Sequence, residues 1–221
     1  MRLVHTLHEP AGSGPHPTIV ALHGWGASAL DLLGLAPHLD GGAYLMLCPQ
    51  GSVAVQVGPG MQGYGWFPIS MGAPPDRAAF EAGYHALDAF LGEAMQRYSI
   101  APDRLAVLGF SQGGVMAYAL ALRQPRRFAA VAALSTWLVP GLEESRDAAP
   151  DLNHLAVLVQ HGASDPLIPA ARGREAVEHL RNWKADVTYR EYEMGHEISA
   201  SSLRDLGEFL HTRLVSPIVR V

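Results

Sequence analysis

The sequence predicts an α/β fold in which helices cover both faces of a mostly parallel central sheet. Short aliphatic and β-branched runs alternate with longer segments whose apolar residues recur every three or four positions. This alternation is typical of parallel sheets with crossover helices. The length of 221 residues and the hydrophobic content of 48% suffice for one compact core. We therefore expect a single domain over residues 1–221.

The strands and helices follow from this periodicity. Six apolar runs are the predicted strands: residues 18–22, 44–48, 105–109, 128–134, 156–161 and 187–192. Five segments are the predicted helices: residues 28–36, 76–98, 112–123, 168–182 and 199–214. The clearest is 76–98, in which Phe80, Tyr84 and Leu87 lie on one helical face. Residues 49–75 and 136–152 do not fit and are predicted loops, whose aromatic side chains either form a functional site or cover the sheet edge.

Charge and hydropathy exclude two classes of partner. The chain has 16 basic and 21 acidic residues and a formal charge of −5, with no basic stripe that could follow a nucleic acid backbone. No apolar run approaches the length of a membrane span, and the N-terminus has no export signal. We expect a cytoplasmic protein without stable membrane insertion, and the sequence leaves the oligomeric state open.

The motif G-x-S-x-G occurs at residues 109–113 (GFSQG), between a predicted strand and a predicted helix. In an α/β-hydrolase this motif is the nucleophile elbow, a sharp turn that exposes a serine hydroxyl at the N-terminus of a helix. The flanking glycines let the strand and the helix approach closely. We therefore predict that Ser111 is a catalytic nucleophile in an α/β-hydrolase fold.

A serine needs a base and an acid, which in this fold follow the serine in the order acid, then histidine. Among the downstream histidines, only His196 lies in a loop directly after a predicted strand, where active-site groups of open α/β sheets collect. Asp165 follows the preceding strand in the same way, whereas Asp186 precedes its strand. Glu193 is the rival acid, but it lies too close to His196 along one loop to be aimed easily at its ring.

Two backbone N–H groups are expected to stabilise the oxyanion. One belongs to Gln112, the residue after the nucleophile, and the other to Trp25 in the loop HGWG at residues 23–26. Residues 24–29 also match the dinucleotide fingerprint G-x-G-x-x-G/A, but the next strand does not end in the acidic residue that a ribose requires. No H-E-x-x-H metal motif is present. We expect neither a cofactor nor a metal.

These motifs resemble the phospholipase/carboxylesterase family, which includes bacterial carboxylesterases and acyl-protein thioesterases. The matching segments are 23–26 (HGWG), 66–67 (WF), 109–114 (GFSQGG), 134–138 (LSTWL), 161–169 (HGASDPLIP) and 195–198 (GHEI). The resemblance implies the triad Ser111, Asp165 and His196, and a hydrophobic acyl groove formed partly by the loop around Trp66. We further expect four side chains to contact substrate: Trp66, Phe67, Trp137 and Leu167. Trp25 departs from the smaller aliphatic residue often found at its position, which leaves the substrate preference open.

The function expected from the sequence is hydrolysis of small-molecule carboxylic esters or thioesters through a covalent acyl-enzyme. An acyltransferase would use the same residues and differ only in excluding water. A hydrolase-fold protein that binds without turnover is the other alternative, although a full set of catalytic residues argues against it.

Overall fold

The computed structural model describes residues 3–69, 75–139 and 152–216. A seven-stranded sheet lies at its centre, and its strands are β1 (His5–His8), β2 (His16–Leu22), β3 (Leu45–Pro49), β6 (Ile100–Phe110), β7 (Ala130–Leu134), β8 (Ala156–Gly162) and β9 (Asp186–Tyr192). The spatial order is β1-β3-β2-β6-β7-β8-β9. All neighbouring strands are parallel except β1, which pairs antiparallel with β3. The predicted mostly parallel sheet is confirmed.

The helices cover both faces of this sheet, as the sequence predicts. Helices α1 (Arg77–Arg97), α2 (Gln112–Arg123) and α3 (Ala170–Asn182) pack into one apolar core. Helix α4 (Ala200–Leu210) and the 3-10 turn Leu32–His38 pack into a second core on the opposite face. Because strands β3, β7 and β8 lie between two cores, all of their residues are buried, which explains their continuous apolar runs.

Local chemistry sets the helix boundaries. Asp76 caps α1 by accepting a hydrogen bond from the N–H of Ala79 at 2.8 Å. Ser199 caps α4 by accepting one from Ser202 N–H. The predicted α-helix over 28–36 is wrong, because the segment forms only the 3-10 turn Leu32–His38, which contains Pro37. The predicted helix 199–214 ends as an α-helix at Leu210 and continues as a π-helical turn to Val215.

A β-hairpin occupies part of the predicted loop 49–75. Its strands are β4 (Val53–Gly58) and β5 (Met61–Gly65), which pair antiparallel outside the main sheet. The alternating sequence of β4 has the period of a strand. The remainder of the two loops falls partly on residues 70–74 and 140–151, which lie outside the described residues. In the described helices, none is both long and apolar enough to cross a membrane.

The strand order decides where the functional loops meet. The loop after β2 lies on one side of β6, and the loops after β8 and β9 lie on its other side. Since these strands are parallel, their carboxyl ends share one edge of the sheet. Ser111 follows β6 at this edge, between the oxyanion loop on one side and Asp165 and His196 on the other.

Candidate active site

Ser111 lies in a strained turn between β6 and α2. Its φ of 52° and ψ of −121° are a conformation that non-glycine residues rarely adopt. A Cβ on Gly109 would lie 2.2 Å from the carbonyl oxygen of Gly113, and one on Gly113 would lie 2.0 Å from that of Leu22. Both positions therefore require glycine. The sequence places this sharp turn correctly because the glycines make it sterically accessible.

Strand β7 holds the elbow from the side. The N–H of Ser111 donates to the carbonyl oxygen of Leu134 at 2.9 Å, and the hydroxyl of Thr136 donates to the carbonyl oxygen of Ser111 at 2.7 Å. These two hydrogen bonds fix the peptide groups on both sides of the Ser111 side chain. The strained backbone is therefore stabilised by its surroundings rather than by its own preference.

Asp165 and His196 form a hydrogen-bonded pair. Nδ1 of His196 lies 2.7 Å from Oδ2 of Asp165, while Oδ1 accepts hydrogen bonds from the N–H groups of Leu167 and Ile168, both at 2.9 Å. Burial by itself would raise the pKa of Asp165, but the hydrogen bonds from Ile168, His196 and Leu167 outweigh it and lower that pKa. An ionised acceptor requires the proton on Nδ1, which leaves Nε2 of His196 free to accept a proton.

Close packing of two loops brings this pair together. A Cβ on Gly162 would lie 2.1 Å from the carbonyl oxygen of Gly195, so the loop after β8 and the loop after β9 touch through their backbones. Ala163 N–H donates to Tyr192 O at 2.8 Å, and Ser164 N–H donates to Met194 O at 3.2 Å. The acid and the histidine, 31 residues apart in sequence, are neighbours because β8 and β9 are neighbours.

His161 is a buried polar residue of this site that sequence reasoning missed. Its Nε2 lies 2.9 Å from the carbonyl oxygen of Ile168 and 3.6 Å from Oδ2 of Asp165. The ring closes the turn whose N–H groups donate to Asp165. Its position directly before Gly162 at the end of β8 is a signal that could have identified it, since carboxyl ends of strands carry site residues.

The imidazole of His196 also contacts the elbow. Its ring packs against the ring of Phe110, with 4.8 Å between the centroids, and Phe110 directly precedes Ser111. Glu193, the rival acid, is exposed, while Asp165 makes the hydrogen bond to His196. The geometry therefore brings together the histidine and the acid that the sequence favoured, beside the elbow that carries the serine.

The loop after β2 runs along the other side of the elbow. A Cβ on Gly24 would lie 3.4 Å from Cβ of Ser111. Within the described part of the chain, the N–H of Trp25 has no backbone acceptor. The N–H of Gln112 belongs to the first residue of α2, where the helix offers no acceptor. Both predicted oxyanion donors thus belong to segments that flank Ser111, and their catalytic role stays a prediction.

His23 holds the oxyanion loop in place, a role that the sequence did not reveal. Its Nδ1 lies 2.7 Å from the carbonyl oxygen of Gly24, and its Nε2 accepts the N–H of Gly51 at 3.0 Å. Burial lowers the pKa of His23. A neutral ring with its proton on Nδ1 satisfies both hydrogen bonds, whereas a protonated ring would direct two N–H groups at each other.

The side chain of Gln112 links the elbow to the segment after the hairpin. Its Oε1 accepts the N–H of Trp66 at 2.9 Å, and its Nε2 donates to the carbonyl oxygen of Phe67 at 2.6 Å. The rings of Trp66 and Phe67 are only 2% and 1% exposed and belong to the core. In this arrangement both residues support the site from behind, and their predicted contact with substrate stays a prediction.

The other two predicted substrate contacts lie nearer the surface. Leu167 is 68% exposed beside Asp165, and Trp137 is half-buried after β7, packed against the core. Their contact with substrate is not decided by these positions. Among residues 3–69, 75–139 and 152–216, no group of three or more His, Cys, Asp and Glu side chains could hold a metal ion, and the expectation of no cofactor stays a prediction.

Comparison with known proteins matches this geometry. The family model of the phospholipase/carboxylesterase family matches residues 8–214. The chain is 28% identical over 222 residues to acyl-protein thioesterase 1 of Gibberella zeae, covering 93% of this chain and 94% of the relative. It is 29% identical over 227 residues to acyl-protein thioesterase 1 of Mycosarcoma maydis, covering 92% and 94%.

Solved structures have the same fold. Esterase PE8 superposes with a TM-score of 0.82 at 27% identity, covering 97% of this chain and 100% of that one. The carboxylesterase of Bacillus cereus superposes with a TM-score of 0.80 at 22% identity, covering 96% and 94%. The fold and the arrangement at the sheet edge define an α/β-hydrolase. More particularly, the chain belongs to the phospholipase/carboxylesterase family, whose members are hydrolases.

Proposed function

We propose that this protein hydrolyses small carboxylic esters or thioesters through a covalent acyl-enzyme on Ser111. The single observation that carries the proposal is the 2.7 Å hydrogen bond between Asp165 and His196, in a loop cluster that packs against the nucleophile elbow. The family assignment supports ester or thioester hydrolysis in general, and the roles of the individual residues rest on the geometry of the site.

Acylation begins when the Ser111 hydroxyl attacks the carbonyl carbon of the substrate. His196 Nε2 takes the hydroxyl proton, and Asp165 stabilises the imidazolium that forms. The N–H groups of Trp25 and Gln112 donate to the developing oxyanion. Such donors act in a preorganised site, and loss of one costs about 10²–10³ in kcat in a serine protease. The imidazolium then protonates the departing alcohol or thiol.

Deacylation repeats these steps with water. His196 removes a proton from water, the resulting hydroxide attacks the acyl carbon, and Ser111 regains its proton as the carboxylic acid leaves. Every proton passes through His196, so the hydrogen bond from Nδ1 to Asp165 must keep Nε2 unprotonated in the resting enzyme. This requirement connects the loop packing at Gly162 to the chemistry.

The test is hydrolysis of p-nitrophenyl esters from acetate to palmitate by the wild type and by Ser111→Ala. Ser13→Ala is the matched control, because Ser13 is exposed in the turn before β2, at the opposite edge of the sheet. We expect activity in the wild type and the control and a loss of about 10³-fold or more in Ser111→Ala. Equal activity of Ser111→Ala and the wild type would exclude the proposed nucleophile.

Two further measurements separate hydrolysis from its alternatives. Mass spectrometry of the protein after a brief reaction with a slow ester should show one added acyl group, located on the peptide that contains Ser111. Added alcohols or amines should not divert most of the product, since preferential transfer to them would instead indicate an acyltransferase.

A further inference from the structure

The indole of Trp25 lies flat on the end of the β4–β5 hairpin. A Cβ on Gly65 would lie 2.3 Å and 2.4 Å from the ring atoms Cε3 and Cζ3 of Trp25, so the ring rests directly on the glycine backbone. The same Cβ would lie 3.0 Å from Oε1 of Gln112. Trp25 remains 36% exposed. One of its faces is therefore packed against backbone, and part of the ring borders the open site next to the elbow.

The ring has little freedom to move away from the site. The N–H of Gly26 donates to Tyr64 O at 2.9 Å, and the N–H of Tyr64 donates to Ala27 O at 2.8 Å. A Cβ on Gly63 would lie 1.9 Å from the carbonyl oxygen of Gly26, so loop and hairpin are in backbone contact. A rigid surface lies behind the indole, and the indole cannot yield to a larger ligand as a flexible side chain would.

The strand order places Trp25 on the side of Ser111 away from His196. The oxyanion loop follows β2, which neighbours β6 on one side, while His196 follows β9, beyond β7 and β8 on the other side. In the tetrahedral intermediate the leaving group must face the histidine that protonates it. The oxyanion faces the N–H groups, so the acyl group extends from the carbonyl carbon toward the β2 side.

This side of the site is suited to an apolar group. Residues 41–75, which include the hairpin, contain no Asp, Glu, Lys, Arg or His. The exposed apolar side chains Val57 and Met61 lie on the same hairpin, and a Cβ on Gly26 would lie 2.9 Å from Cγ1 of Val57. The acyl group thus meets apolar surface, beginning at the indole.

We propose that the indole of Trp25 is the wall that limits the length of the acyl group, so that the protein prefers esters of short acids. The inference rests on the proposed acyl-enzyme mechanism and adds a specificity-determining side chain to it. The backbone N–H of Trp25 serves the oxyanion whatever its side chain, whereas the side chain decides how far the acyl group extends along the hairpin.

The experiment compares kcat/KM for p-nitrophenyl acetate and p-nitrophenyl octanoate, each below its solubility limit, in the wild type and in Trp25→Leu. We expect the octanoate-to-acetate ratio to rise by about tenfold or more in Trp25→Leu, since a methylene in a hydrophobic pocket changes specificity by 10-fold or more. Leu30→Ala is the matched control: Leu30 is an apolar residue of the same loop with 67% exposure to solvent, and its ratio should equal that of the wild type.

Trp25→Phe keeps a ring on Gly65 and should give a smaller rise in the ratio than Trp25→Leu. An unchanged or lower ratio in both variants would overturn the inference while leaving the esterase mechanism intact. Loss of acetate hydrolysis in both variants would also overturn it, because the indole would then hold the loop rather than limit the acyl group. No hydrolysis of any ester by the wild type would instead refute the proposed function, and the inference with it.

Discussion

Replacement of Asp165 by Asn is the sharpest test of the proposed triad, because it alters one atom of the carboxylate. The Asn amide oxygen can occupy the position of Oδ1 and still accept the N–H groups of Leu167 and Ile168. Its NH₂ group then takes the place of Oδ2, opposite Nδ1 of His196. Since an NH₂ group can only donate, the imidazole must carry its proton on Nε2, the atom that should receive the proton of Ser111.

The expected effect is large on catalysis and small on stability. The equivalent change in a serine protease lowers kcat by about 10⁴ through the same change of tautomer, which is about 5.4 kcal/mol of transition-state stabilisation. Folding should change far less, because the two backbone hydrogen bonds to Oδ1 persist and the burial of a charge is relieved. We expect the free energy of unfolding to change by no more than about 1–2 kcal/mol.

The assay measures kcat and KM for p-nitrophenyl acetate in the wild type, Asp165→Asn and Glu193→Gln, with urea denaturation of each. Glu193→Gln is the matched control, since this exposed acid lies on the histidine loop. Its kcat should stay within about twofold of the wild type. Asp165→Asn retaining more than a tenth of the wild-type kcat, or Glu193→Gln losing as much activity, would refute the assignment of the acid.

Three further substitutions test how the site is supported. Gln112→Met should lower the free energy of unfolding by about 2–4 kcal/mol, because it leaves two buried backbone groups without partners; urea denaturation measures the loss, and a change under 1 kcal/mol would contradict the role of the amide. Gly65→Ala should cost about 1–3 kcal/mol by overpacking against the indole, and the cost should fall in a Trp25→Ala background. A double-mutant cycle with no coupling would argue against that contact. Glu81→Gln should cost about 1 kcal/mol near pH 7, since the two hydrogen bonds from Arg123 lower the pKa of Glu81. This contribution is present above the unfolded pKa and disappears as the pH falls through the lower folded value, so wild type and variant should converge in acid; a constant difference down to about pH 2 would contradict the ion pair.

The strands of the sheet were predictable because burial on both faces requires continuous apolar runs. Strand β8 (Ala156–Gly162) is buried at every residue, and its sequence contains almost only aliphatic residues before Gln160. Strand β1 (His5–His8) was missed for the opposite reason. It lies at the edge with mixed exposure, and its two histidines have no strand periodicity that a reader of the sequence would recognise.

The hairpin was missed because its glycines indicate loop structure. Gly63 and Gly65 interrupt β5, yet both are required there, since the oxyanion loop and the indole of Trp25 occupy the space of a Cβ. The reason for these glycines lies in residues some forty positions away. Periodicity within a short window cannot contain that information.

The sequence by itself determined the elbow, because G-x-S-x-G expresses a local steric requirement between adjacent elements. It also determined which acid and which histidine end neighbouring strands, since parallel strands bring their carboxyl ends to one edge. Only the tertiary structure decided what surrounds them: the buried rings of His23 and His161, the amide of Gln112 between two segments, and the indole on Gly65. These contacts join residues that are distant in sequence, and their hydrogen bonds and packing exist only once the loops are brought together by the sheet.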